Sequence, residues 1–275
     1  MPSKNRVLIT AKTYPTLSRK YGETVCTAGI REDGQWVRIY PVPFRRLEEQ
    51  EQYKKYDWLE LDLVQNTSDP RPETFRPADL NQFHPVAHLG TEDQWHERRS
   101  FILGKSPVYT KLEPLLAGAK KNTLSLATFK PARILDFFWE NDDREWDQNK
   151  VAIMRNEARQ GTLFPEEDSW RRTFLIPKLP YSFSFRFADA DGRESTLQII
   201  DWECGQLYWN CLKANQNDEQ VALEKVKAKY MNFVKQYNLH FFMGTTRQFH
   251  GFSPNPWLII GVFYPPFNNQ PDLFA

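Results

Sequence analysis

With 275 residues the chain can bury one large core or two ordinary ones without a disulfide or metal to hold it, and a net charge of +1 excludes a protein that coats polyanions by bulk basicity. Its three cysteines, Cys26, Cys204 and Cys211, are odd in number and form no C-x-x-C pair, which argues against a disulfide framework and a thiolate zinc site and favours a reducing cytoplasm. No signal-peptide core follows MPSKNRVLIT and no uncharged apolar run has the length to cross a bilayer, so a cytoplasmic protein with no membrane partner is expected.

The N-terminal third reads as strands. RVLITAKTY, TVCTAGI and QWVRIYPV are rich in β-branched and aromatic residues, REDGQ places Asp-Gly between two of them as a hairpin turn, and WLELDLV alternates apolar and polar. From Asp69 the stretch DPRPETFRPADLNQFHP reads as a proline-rich surface connection. EDQWHERRSFIL and KLEPLLAGAKKN read as short helices, ARILDFFWE as a strand, and DREWDQNKVAIMRNEARQG as a helix closed by its glycine. FPEEDSWRRTFLIPKLP, around residues 164–180, marks a boundary. Beyond it YSFSFRFADADGRESTLQIID reads as a hairpin turning on Asp191-Gly192. EQVALEKVKAKYMNFVKQY has helical spacing, with Glu219, Glu224, Lys225 and Lys229 among its charged positions, and LHFFMGT and WLIIGVFY end the series as strands, the second apolar enough to be central.

The expected fold is therefore α+β: two small β-rich units, OB-like or related barrels, with intervening helices. Residues 1–165 form a basic, aromatic domain with a helical insert, 166–265 a hairpin, helix and strand domain, and 266–275 a flexible tail.

The motifs KTYPTLSRKYGETVCTAGI, WVRIYPVPFRRL, IDWECGQLYW, LHFFMGTTRQFH and PWLIIGVFYPP run through nearly the whole chain. In them the sequence resembles an uncharacterised prokaryotic family of dual-OB-domain-containing proteins associated with genome-defence loci. The resemblance implies two barrels and a role in phage defence or DNA repair, with altered phage bases as one substrate class. Similar proteins carry Cys and His in metal-like spacing ahead of the D-W-E motif. Here that stretch is RFADADGRESTLQII, with neither, so no metal is expected.

Three groups of residues carry candidate chemistry. Before Leu47, Lys12, Arg19, Lys20, Arg38, Arg45 and Arg46 are interleaved with Tyr14, Trp36 and Tyr40, and Arg38 and Tyr40 alternate on one strand so that they share a face. Cations on phosphates and rings on bases are what recognition of a single strand or flipped base requires; the competing reading is a solvated charged face over aromatic core residues. Second, Asp201 and Glu203 flank Trp202. On an extended segment the two carboxylates project together, a pair suited to hydrolysing an N-glycosidic bond; alternatively Asp201 caps the helix that follows and Glu203 sits in its first turn. Third, His240 and His250 flank FFMGTTRQF and suit phosphate contact or acid–base work, or are structural. No nucleotide-binding Gly-rich loop, H-E-x-x-H or G-x-S-x-G motif is present, and no cofactor is expected.

The chain ends in Gln270-Pro271-Asp272-Leu273-Phe274, a pattern like the short peptide by which bacterial replication and repair proteins dock on the sliding clamp. Gln270, Asp272, Leu273 and Phe274 are the docking candidates: apolar anchors for a preformed pocket, with a hydrogen-bonding Gln. A similar run, Gln160 to Phe164, follows a helix and is expected to pack back on it. These readings converge on a DNA-acting protein, DNA before RNA, that reads a base in an aromatic pocket and excises it as a DNA glycosylase; the alternative is a noncatalytic reader or adaptor.

Overall fold

The computed structural model of the chain describes residues 3–18, 22–47, 52–79, 83–152 and 176–267. Seven strands make the first sheet: β1 (Ser3–Lys12), β2 (Thr16–Ser18), β3 (Gly22–Arg31), β4 (Trp36–Val42), β5 (Asp57–Gln65), β6 (Thr74–Pro77) and β7 (His84–His88). Five of them close a ring in the order β1-β3-β4-β6-β5-β1, with β4 and β6 parallel and every other pair antiparallel. Numbered along the chain, the ring runs 1-2-3-5-4-1, the connectivity of an OB barrel. The β3–β4 hairpin turns on Asp33-Gly34 as expected, and only glycine fits: φ is +87° and a Cβ would lie 2.2 Å from the Lys105 carbonyl oxygen.

The proline-rich stretch read as a connection also contributes β6, the strand that completes the ring. Its strand signal is faint because it is four residues long and ends on Pro77, a position where the missing N–H is tolerated.

α1 (Glu92–Lys105) precedes the second sheet, and α2 (Leu112–Lys120) lies between its first two strands. It contains β8 (Val108–Tyr109), β9 (Leu126–Phe129), β10 (Arg133–Asn141), β11 (Tyr181–Ala188), β12 (Glu194–Ile199), β13 (His240–Thr245) and β14 (Trp257–Phe263) in the order β10-β11-β12-β14-β13-β9-β8. β9 and β10 are separated by only Lys130 to Ala132, so β10 and β9, at opposite ends of the β10-to-β9 path, are neighbouring pieces of one stretch of chain, and the strand order repeats that of the first barrel. The β11–β12 hairpin turns on Asp191-Gly192 with Gly192 at φ +78°, and β14 is central. The helices α3 (Trp202–Ala214) and α4 (Glu219–Gln236) lie between β12 and β13. Glu219 does not pair along α4: Arg144 grips its carboxylate at 2.7 and 2.8 Å and Tyr181 donates to it at 2.6 Å.

The sheets divide the described chain between His88 and Val108, earlier than the expected boundary after 165, because ARILDFFWE pairs with β11 rather than with the N-terminal strands. Residues 153–161 of DREWDQNKVAIMRNEARQG, the Gln160–Phe164 run and the tail beyond 267 lie outside the described residues.

Strand alternation distributes the apolar residues among three cores. Val7, Ile9, Val37, Ile39, Leu59 and Leu61 fill the first barrel. Phe137, Phe183, Phe185, Phe187 and Phe241 fill the second against α2, α3 and α4. Leu8, Trp36, Tyr56, Phe242 and Phe263 form the third, in which side chains of both units pack together. β1 and β13 are apolar on both faces because each borders two of these cores.

Candidate functional site

β12 ends at Ile199, and two residues later Asp201 takes extended dihedrals (φ −63°, ψ 137°) and caps α3, accepting from Glu203 N at 3.3 Å. A short acceptor side chain at this position satisfies one of the free N–H groups of the first helical turn. Asp201 is 2% exposed, and its second oxygen, Oδ2, is buried with no hydrogen-bond partner. The same residue bridges to Thr13, and Tyr14 N donates to Ile200 O at 2.7 Å, so the end of β1 is stitched to the start of α3.

A cavity of about 210 Å3 opens at this seam. Tyr14, Tyr181, Phe183, Trp146 and Ile199 give it apolar walls, and Asp201, Gln198 and Ser182 supply polar groups. Tyr14 is a fixed wall: its hydroxyl donates to Pro177 O at 2.8 Å and accepts from Trp209 Nε1 at 2.9 Å. Its ring lies so close to α3 that a Cβ on Gly205 would meet it at 2.3 Å. At the rim Lys178 pairs with Asp142 at 2.9 Å.

Four charged groups surround the α3 N-terminus. Burial pushes the Asp201 carboxyl up to about 7, with Glu203 adding to the rise and Lys55 and Lys12 opposing it. Glu203 goes the other way, held below the usual carboxylate range chiefly by Lys55, whose Nζ lies 3.2 Å away. Burial alone would lower Lys55, but the opposing pull led by Glu203 outweighs it and raises it, and its Nζ also donates to Val262 O at 2.8 Å. Lys12 is lowered to about 8 by burial against the pull of the carboxylates; its Nζ lies 3.9 Å from the centre of the Phe44 ring, near Tyr53 and Trp202, and donates to Tyr53 O at 3.0 Å.

The two acidic residues therefore differ in employment. Asp201 is the expected cap and carries the raised pKa, while Glu203 is turned to Lys55 with a half-exposed side chain, so they are not two equivalent carboxylates on one extended face. Tyr14 reaches the cavity and Lys12 the charged cluster beside it.

Among the described residues the basic and aromatic face expected before Leu47 is not assembled. Trp36, Arg38 and Tyr40 do share one side of β4, but the second unit covers it at Trp36 and Arg38. Arg38 is 1% exposed and donates to Thr74 Oγ1, Ser125 Oγ and Ser125 O, leaving no exposed guanidinium for a phosphate. Trp36 packs edge-on against Phe242, Tyr40 accepts from Thr24, and Arg45 pairs with Glu23 at 2.7 Å. Arg19 and Lys20 lie outside the described residues, as does the side chain of Arg46.

The histidines are structural as well. His240 donates to Asn238 O and is lowered to about 4 by burial; His250 is buried between Thr245 Oγ1 and Asn122 Oδ1 and is also lowered by burial. Gln270, Asp272, Leu273 and Phe274 lie outside the described residues. Among the described residues no group of three or more His, Cys, Asp or Glu is arranged to hold a metal ion, and no helix is long and apolar enough to cross a membrane.

Sequence reasoning missed Lys55, Gln198, Ser182 and Trp146. None carries a local signal: Lys55 matters only because folding brings it to a carboxylate 148 positions away.

Residues 3–104 match a family described as Domain of unknown function (DUF8758), and residues 109–275 one described as Domain of unknown function (DUF8757). No curated protein matches the chain. The second match spans more than half of the chain, which therefore belongs to the DUF8757 family, and two such domains in tandem with a closed barrel fit an uncharacterised two-domain family.

Proposed function

We propose that this DUF8757 family member acts on DNA by taking a single base into the cavity between its two barrels, where Asp201 reads it. One observation carries the reading: a buried carboxyl with an unpartnered oxygen, poised near neutrality, on the wall of an aromatic cavity. Such a combination in a concave apolar site is the physical mark of a binding or catalytic centre. At about 210 Å3 the cavity is below the roughly 300–1,000 Å3 of pockets for drug-sized ligands, which suits one heterocycle and not a dinucleotide. The rings of Tyr14, Tyr181 and Phe183 supply apolar surface for the faces of a flipped base, offsetting the few kcal/mol that flipping costs.

The chemistry follows from the protonation state of Asp201. As a neutral acid it donates to an acceptor on the base edge; near pH 7 it can also give its proton to a departing base, leaving the sugar carbon to water. Glu203 acts on this step only through its charge, which raises Asp201. Excision thus rests on one carboxyl, and a noncatalytic reader is the outcome if binding occurs without cleavage. Genome defence or DNA repair is the proposed setting, and the terminal peptide Gln270 to Phe274 is proposed to dock the protein on a sliding clamp.

The test is incubation with normal and base-modified duplex and single-stranded DNA, followed by alkali to break abasic sites. Breaks that disappear in Asp201→Asn while DNA binding persists support excision. Base-dependent binding without breaks supports the reader. Absence of any base-dependent effect refutes the reading. Removing residues 270–275 is expected to abolish clamp binding with no change in Tm.

A further inference from the structure

The loop between β13 and β14 carries the most exposed large ring among the described residues. Phe252 is 89% exposed and Phe249 50%, three positions apart on one turn. Apolar rings left in water at a loop tip are costly to keep unless they are used.

This loop is held in shape. His250 N donates to Thr246 O at 3.0 Å, Phe252 N to Phe249 O at 3.2 Å and Ser253 N to Phe249 O at 3.0 Å, while Gly251 takes φ +77°, a conformation side chains resist. The His250 ring points inward and is fixed at both nitrogens, to Thr245 on one side and Asn122 on the other. With His250 turned in, Phe249 and Phe252 are left outside.

The Asn122 contact also fixes what lies beside the rings. Asn122 follows directly on Lys120 and Lys121 at the end of α2, and Arg247 opens the loop itself. All three cations are exposed and make no ion pair among the described residues. Two acids whose charges reach His250 are used elsewhere: Asp69 by Arg71 at 2.6 Å and Glu73 by Ser125 at 2.9 and 2.5 Å.

We infer that this loop is a stacking platform for single-stranded nucleic acid, with Phe249 and Phe252 meeting bases and Lys120, Lys121 and Arg247 meeting phosphates. The pairing of separate rings with unpaired cations favours a polyanion that carries flat faces over a protein partner, whose contact would need a broader apolar patch. The surface is distinct from the cavity and shares with the proposed function only the class of polymer.

The experiment is fluorescence anisotropy of the full-length protein with labelled oligothymidylate and with its ribose counterpart, over a salt series. Wild type is expected to bind. Phe249→Ala with Phe252→Ala should weaken binding tenfold or more, because two bases then lose the rings on which they stack. Lys120→Gln with Lys121→Gln should weaken it and flatten the salt dependence by about 0.7 for each phosphate no longer neutralised. The cavity reading is tested by base-dependent effects on modified DNA and this inference by ring-dependent binding of an unmodified homopolymer, so failure of the one and failure of the other are separable. Preference for one sugar identifies the polymer. Wild-type binding that survives removal of both rings, no binding of either polymer, or ring-dependent self-association in place of binding each overturns the inference.

Discussion

Replacing Asp201 by Asn removes a charge but keeps the side-chain oxygen that caps α3, so the cap and the burial cost come apart. Burial raises this carboxyl from 3.8 to about 7. At 1.36 kcal/mol per unit, that displacement disfavours the ionised form by roughly 4 kcal/mol. Because the folded value lies above the unfolded one, the native state keeps a proton that the unfolded chain has lost. The stabilising contribution is complete below about 4 and is lost as the pH rises through 7. An Asn carries no such liability. Asp201→Asn should therefore gain on wild type by up to roughly 2–3 kcal/mol between pH 5 and pH 8. The other titrating groups common to both proteins, His240 and His250 among them, largely cancel in the difference. Urea denaturation followed by tryptophan fluorescence at pH 5, 6, 7 and 8 measures it. A stability difference that does not change with pH means that Asp201 is ionised throughout, and the proton needed for base reading is absent.

Other consequences follow from the same geometry. Burial lowers His240 to about 4 and lowers His250 as well, so stability should fall as pH drops from 6.5 toward 4, and NMR titration should find the His240 imidazole unprotonated at pH 6; a His240 that titrates near 6.5 contradicts its burial. Gly205→Ala would gain up to about 1 kcal/mol of helix propensity, but its Cβ meets the Tyr14 ring at 2.3 Å, so a net loss of about 1–3 kcal/mol in Tm or denaturant measurements is expected. Arg38→Met removes the donors that tie Thr74 to Ser125 and should cost about 1–3 kcal/mol for the buried acceptor left unsatisfied, while the salt dependence of DNA binding by the folded protein stays the same. A flattened salt dependence would return Arg38 to a phosphate-binding role.

The fold was more legible than the site. Periodicity located both hairpins because Asp33-Gly34 and Asp191-Gly192 combine strand signals with turn chemistry inside a few residues. The cap was legible for the same reason, since Asp201 and the N–H it accepts from lie two positions apart. Charge on a segment says nothing about which side chains turn inward, and that is decided by partners far away. Arg38 is drawn in by Ser125, Arg45 is neutralised by Glu23 and Lys55 is set against Glu203. The cavity is a product of the seam between two barrels, so its walls come from Tyr14, Trp146 and Phe183 at once. No window of sequence contains it.

The central claim is that the cavity takes a base and that Asp201 reads it. The most direct measurement is the affinity of wild type and Asp201→Asn for an oligonucleotide carrying one modified, flippable base, relative to the unmodified strand, from pH 5 to pH 8. A base-dependent preference that changes with a midpoint near 7 in wild type and is flat in the variant is expected. A preference that is the same in both proteins at every pH, or no preference in either, contradicts it.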